Sequence, residues 1–358
     1  MRCSCWLILF ILFSLVPAGD TNAADLSEKE SDFLDSIQYG NMKDFQKLLK
    51  KGVSPNTTDS SGNSALILAI YHERLEMVRI LLDAKASVDV AFHGKDPHPL
   101  SPVLLAIYQK VPDVALMVVQ AGANVNAKDE KGLTALWWAS QDGYTDLALA
   151  LIHAGPDINI FDSDEHYTPL MMASIKGNGP LAAALIEAKA ELNIQDKDKY
   201  TALLWAAQEG HTAVVDALLK AGADLKLANK KDQTAMHVAA IDGHTEVVRS
   251  LLRAGADIEA KEYQGVTPIL FAAQDGHLEV VKLLIAAKAN VNVIAMDMRN
   301  TALHVAASHG HADVILALIE AGAKVNAKNL IGSTPLKFAV EYNHPDAAEA
   351  LKKVGGHE

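Results

Sequence analysis

Cysteine is almost missing from this chain. Of 358 residues only Cys3 and Cys5 are cysteines, both at the extreme N-terminus. The rest of the chain therefore has no disulfide and no thiol nucleophile, and packing alone must hold it together. Positive charge is also short: 32 Lys and Arg face 44 Asp and Glu, a net charge of −12. That balance argues against nucleic acid, whose binding rests on a basic surface, and equally against docking on anionic lipid. It leaves room for a basic partner. No apolar run reaches the ~20 residues of a membrane-spanning helix. The longest extends from Cys3 to Val16, after the positive start Met1-Arg2 and before Pro17-Ala18-Gly19, with small residues at Ala23 and Ala24. This is the layout of a secretory leader. We expect residues 1–23 to be a signal peptide, and the protein to be exported to the periplasm or secreted, with no membrane insertion once the leader is cleaved.

Catalytic signatures are missing as well. The sequence has no P-loop lysine motif, no His-Glu-x-x-His and no Gly-x-Ser-x-Gly. An enzyme is not expected, nor is a cofactor.

What the chain does have is a period. A Ser or Thr opens an apolar segment at Ser64, Ser101, Thr134, Thr168, Thr201, Thr234, Thr267, Thr301 and Thr334, mostly 33 or 34 residues apart. Repetition at this length builds a stack of small units, each burying its neighbour. In the Thr267 repeat, Thr267 caps a short apolar helix with Pro268 at its first position, and Gly276 closes it. Leu278, Val281, Leu284 and Ile285 then give a second helix at helical spacing. The stack also shows its ends. The position 18 residues after each anchor is aliphatic from Leu82 to Ile319, then becomes Lys352. At the other end Phe33, Leu34, Ile37, Phe45, Leu48 and Leu49 form a helix pair without an anchor. The expected organisation is a capping helix pair over 24–56 and nine repeats over 57–358, the last acting as a C-terminal cap.

Thr301-Ala302-Leu303-His304-Val305-Ala306-Ala307, Gly243-His244 and Ala121-Gly122-Ala123-Asn124-Val125-Asn126-Ala127 resemble the ankyrin repeat. The resemblance runs from about Asp32 to Val354. It implies an all-α ankyrin solenoid of stacked helix–turn–helix units with β-hairpin-like finger loops. It also implies that the concave face of finger tips and short helices binds a protein partner. The family's finger glycine is replaced at His166, Lys199, Asp232 and Arg299, which leaves those turns open. At the end of the second helix it becomes Lys85, Lys189 and Lys288, a cost of roughly 1 kcal/mol each if the left-handed cap is kept.

Most of the fourteen histidines have a scaffold address. His211, His244, His277, His311 and His344 share one repeat position. His237 and His304 occupy the histidine of the Thr-Pro-Leu-His pattern. An acidic stripe stands before the short-helix turn: Asp142, Glu209, Asp242 and Asp275. Four residues earlier, on the same helix face, stand Trp138, Trp205, Val238 and Phe271. Packing between repeats is the stronger reading of these rings, and a cation-binding groove the weaker. The candidate partner-binding residues are Tyr71, His72, Gln141, Asp142, Tyr200, Gln208, Glu209, Asp242, Tyr263, Gln274, Asp275, His309 and Tyr342, with no metal site among them. The expected protein is a monomeric, exported, bacterial, non-enzymatic binding scaffold. The alternative is an envelope protein that handles a small molecule or metal, with hydrolysis as its chemistry. Its site would be His93, Asp96 and His98 in the longest finger, beside Trp137.

Overall fold

The computed structural model describes residues 26–94, 100–295 and 298–358. The expected signal peptide and the pair Asp96 and His98 lie outside them. The chain divides into two compact bodies at Ala123–Asn124. The N-terminal body contains α1 (Glu28–Gln38), α2 (Met42–Lys50), α3 (Ala65–Tyr71), α4 (Leu75–Asp83), α5 (Pro102–Tyr108) and α6 (Pro112–Gln120). The C-terminal body contains α7 (Ala135–Asp142), α8 (Thr145–His153), α9 (Pro169–Ile175), α10 (Gly179–Glu187), α11 (Ala202–Gln208), α12 (Thr212–Lys220) and α13 (Ala235–Ile241). It continues through α14 (Thr245–Arg253), α15 (Pro268–Gln274), α16 (Leu278–Ala286), α17 (Ala302–His309), α18 (Ala312–Glu320), α19 (Pro335–Glu341) and α20 (Pro345–Lys353).

Five of the nine anchors cap their helix with the hydroxyl; Thr267, expected to do so, does not, and its Oγ1 and that of Thr134 are buried without a hydrogen-bond partner among the described residues. Ser64, Ser101, Thr168, Thr201 and Thr334 accept the backbone N–H three residues on, filling one of the helix's orphan donors. The short helices are buried on nearly every side: in α11, Ala202, Leu203, Leu204, Ala206 and Ala207 are all inaccessible. Alanines let neighbouring helices approach, and leucines fill the space between. Within the C-terminal body each short helix packs on the next short helix, and each long helix on the next long one, from α7 and α8 to α19 and α20.

In five of the seven helix pairs of the C-terminal body one histidine ties these layers together; Tyr144 and Asn178 hold its place in the other two. His211, His244, His277, His311 and His344 donate Nε2–H to the carbonyls of Ile175, Gln208, Ile241, Gln274 and Ser308 in the preceding repeat, at 2.8–3.1 Å. Those carbonyls close the short helices, whose last C=O groups have no helical partner. The ring lies against the glycine that turns the preceding repeat. In the N-terminal body Arg74 takes the same place, donating to the carbonyls of Ile37 and Gln38.

The fingers are not β-hairpins, which corrects the expectation drawn from the family resemblance. Among the described residues there is no β-strand, only isolated bridges such as Lys128 with Thr134 and Ala228 with Thr234. The reason is local. In most fingers an acidic or amide side chain closes the loop beside one backbone bond, such as that from Asp129 N–H to the Leu133 carbonyl; in the 294–301 finger, where Ala295 has that place, the Ala295 N–H to Asn300 carbonyl bond closes it. Asp129 Oδ1 accepts from the N–H groups of Lys131 and Leu133 at 2.9 and 2.8 Å. Asp59, Asp196, Asn229, Glu262 and Asn329 do the same in their fingers. These Asx-type turns consume the donors that strand pairing needs.

The turns without glycine keep their shape. His166, Lys199, Asp232 and Arg299 all have φ of 57–64°. The caps at Lys85, Lys189 and Lys288 are left-handed at 63–73°, so the strain expected from the sequence is present.

Two glycines separate backbone cost from packing cost. A Cβ on Gly243 (φ +72°) would sit 2.5 Å from His277 Nδ1, whereas one on Gly255 (φ +81°) meets nothing within 4 Å. Gly255→Ala should cost the left-handed penalty alone, about 1–2 kcal/mol. Gly243→Ala should cost clearly more, because it also displaces the His277 ring. Urea unfolding of the two variants checks this, and equal losses would show that the histidine contact carries no stability.

Candidate binding surface

The richest part of the C-terminal body is where α11 and α13 meet the fingers before them. Trp205 is half-buried, and its indole N–H donates to Asp196 Oδ2 at 2.9 Å. Asp196 Oδ1 meanwhile holds the finger backbone at Asp198 and Tyr200. One carboxylate therefore locks the finger and ties it to the short helix. Burial pushes the Asp196 carboxyl above its usual range, against the pull of these hydrogen bonds. Trp138 and Asp129 repeat the arrangement at 2.7 Å.

The aromatic rings form a platform that is already filled. The rings of Tyr200 and Trp205 are 4.5 Å apart, and Tyr167 meets Trp205 edge-on at 5.9 Å. The chain's own Lys131 ammonium stands 5.8 Å from the Trp138 ring centre. Trp137 is buried and donates its indole N–H to the Tyr167 carbonyl at 2.7 Å. Phe271 is half-buried and Val238 fully buried. The rings brace helix against finger, and they leave the neighbouring polar groups to face outward.

Of the sequence candidates, five converge here. Tyr200 donates its hydroxyl hydrogen to Gln208 Oε1 at 2.8 Å and accepts from Asn229 Nδ2 at 3.1 Å. Burial raises the Tyr200 phenol, and the charges of Asp196, Asp242 and Asp198 add to the shift. Glu209, Asp242 and Asp275 are exposed in successive repeats. Burial, then the fields of Glu209 and Asp275, raise the Asp242 carboxyl, opposed by His244 and His277. The three carboxylates are close enough to feel one another.

The other candidates lie apart from this group. Asp142 and Gln141 sit half-buried at the end of α7. Tyr71 and His72 belong to the N-terminal body, where Tyr71 stacks on Phe92 at 5.2 Å. Burial and the Arg74 charge lower the His72 imidazole. Tyr263 is 58% exposed on a finger tip, its N–H bonded to the Lys231 carbonyl at 3.2 Å. Gln274 reaches Asp275 at 3.4 Å. His309 is exposed at the end of α17, and Tyr342 is 58% exposed beside Phe338. Among the described residues no group of three or more His, Asp or Glu is placed to hold a metal.

The Asp196–Trp205 and Asp129–Trp138 pairs were missed in sequence. Their signal is an aspartate nine residues before a tryptophan, five before the anchor and four after it.

The sequence profile described as ankyrin repeats in three copies matches residues 33–129, 170–262, 222–295, 259–329 and 294–357. A second, for ankyrin repeats in many copies, matches 136–186. The chain belongs to the ankyrin-repeat family. It is an ankyrin-type protein-interaction module, of a family type not associated with catalysis. It is similar to an ankyrin repeat protein of Rickettsia bellii (strain RML369-C), 32% identical over 123 residues, 34% of this chain and 36% of that one. It is similar to the potassium channel AKT2/3 of Arabidopsis thaliana, 32% identical over 124 residues, 34% of this chain and 15% of the channel. Human neurogenic locus notch homolog protein 1 matches at 30% over 139 residues, 38% of this chain and 5% of that protein. The matched part is thus about a third or less of each of these relatives.

Two ankyrin histidines make stability pH-dependent. The Nδ1 atoms of His237 and His304 accept from the N–H groups of Thr234 and Thr301 at 3.2 Å, and Nε2–H donates to the carbonyls of Val266 and Ser333. Both rings must be neutral to do so, and burial lowers both from the model-compound value of 6.5. Their contribution is complete above pH 6.5 and is lost as pH falls through the lower folded-state value. The melting temperature should fall from pH 7.5 to 5.5, and less steeply in the less stable double variant His237→Leu/His304→Leu. Parallel pH slopes would show that these two rings are not responsible.

Proposed function

We propose that this protein is an exported, bacterial, non-enzymatic scaffold that recognises a protein partner through the concave ankyrin surface of its C-terminal body. In this reading residues 1–23 are the export leader, 24–56 a capping helix pair, and 57–358 the array. The mature chain is a monomer in the periplasm or outside the cell. The partner presents Lys or Arg side chains to Glu209, Asp242 and Asp275, while Tyr200 and Gln208 supply hydrogen bonds beside them; Asp142, two repeats before Glu209, makes an outlying contact. The remaining candidates, from Tyr71 and His72 to Tyr342, form outlying contacts.

The observation that carries the reading is the placement of Glu209, Asp242 and Asp275 on exposed, equivalent positions of three successive repeats, where the Glu209 and Asp275 charges both bear on Asp242. Like charges held together on a rigid support cost stability unless something cationic meets them. Braced fingers supply that support, since a surface that is already ordered loses little entropy on binding. The leader pattern and the similarity to a Rickettsia chain support the bacterial, exported assignment.

The test is affinity capture with the chain and with a variant in which Asp142, Glu209, Asp242 and Asp275 are all lysine. A partner held only by the native chain, more weakly as salt rises, is the expected result. A partner held equally by both excludes the stripe. Cell fractionation decides export: a chain retained at full length in the cytoplasm contradicts it.

A further inference from the structure

The −12 net charge is not spread evenly. On α2, Lys43, Lys47, Lys50 and the following Lys51 recur at helical spacing and are all exposed. With Met42 and Gln46 they make up one outward face of α2 and its C-cap, and that face carries no carboxylate. None of the four forms an ion pair among the described residues. Asp44, the acidic residue of this helix, is held by Asn41 Nδ2 at 2.6 Å at the helix start.

Terminal repeats need a polar outer face for solubility. That need does not explain four unpaired lysines, because other helices of the chain meet it with both signs. In α20, Lys353 pairs with Glu349 at 2.7 Å, and in α19 Lys337 pairs with Glu341 at 3.7 Å. Arg79, Arg249 and Lys282 likewise pair with a glutamate three residues before. Like charges at i,i+4 on α2 repel one another, and among the described residues no carboxylate pairs with them.

The residue type points to the occupant. Protein interfaces are depleted in lysine, and specific phosphate recognition favours the arginine fork. The face itself is lined by lysine, glutamine and methionine, with no arginine or aromatic residue, which suits the diffuse attraction of an anionic bilayer, about 1 kcal/mol for each lysine at the surface.

We propose that the lysine face of α2 docks this protein on an anionic lipid surface. Net charge does not forbid it, because screening confines the contact to charges within about 10 Å. The attraction is local, independent of the partner proposed for the acidic stripe, and needs no inserted helix.

The test is sedimentation of the full chain with vesicles of phosphatidylcholine alone, or with one third phosphatidylglycerol. The variant is Lys43→Gln/Lys47→Gln/Lys50→Gln/Lys51→Gln, with all changes on exposed positions and melting measured alongside. The N-terminal apolar run contributes to both vesicle types, so the readout is the ratio between them. The native chain should prefer the anionic vesicles by at least roughly tenfold, with the preference falling in high salt and disappearing in a folded variant. An equal partition by the native chain, or a preference kept by the variant, overturns the proposal. So does tighter binding to a duplex DNA of matched charge than to the vesicles.

Discussion

A helix of seven residues has no stability of its own in water, because nucleation costs more than so few hydrogen bonds return. Most short helices of this protein have that length. They exist because each is buried between neighbours, and because histidines from the following repeat close several of their ends. Everything else depends on this constraint. The glycines beneath those histidines are fixed by ring contact. The alanines are fixed by helix approach, and the Ser and Thr anchors by the need to satisfy orphan donors without adding bulk. Stability is therefore a property of junctions, and a repeat with both neighbours is held better than one at an end.

The same economy builds the surface. A finger that closes on its own carboxylate or amide needs no partner strand, so its shape is set inside one repeat. Where that carboxylate also accepts an indole N–H, as Asp196 and Asp129 do, the finger and short helix move as one body. The rings are used up in this bracing, which leaves the carboxylates of the following helix turns as the groups able to meet a partner. Opposite chemistry appears at the N-terminal end, where α2 offers unpaired lysines.

Much of this was legible in the sequence. The anchors marked the helix starts to the residue, although the hydroxyls of Thr134 and Thr267 do not make the cap bond expected of them. The five repeat-position histidines read correctly as scaffold, because a residue recurring at one address must serve the stack. Lys85, Lys189 and Lys288 were legible as strained caps. The fingers were not. Hairpin form was inferred from resemblance, whereas the outcome depends on which side chain reaches the loop amides first, and Asp129 or Asn229 does so from within its own loop. The Asp–Trp braces escaped for a related reason: a nine-residue separation has no meaning on a helix or a strand and acquires one only when the loop folds back. The acidic stripe could be listed by position, but the separation of Glu209, Asp242 and Asp275 from Tyr263 and Tyr342 required the fold.

The central claim is that side-chain turns, not strand pairing, hold the fingers and fix the surface to the stack. Hydrogen exchange of an Asp196→Ala variant tests it most directly. Loss of this carboxylate should release the amides of Asp198 and Tyr200 and the Trp205 indole N–H by at least roughly tenfold, the worth of a charged hydrogen bond, while the core amides of α12 stay protected. Unchanged exchange in that finger would contradict the account.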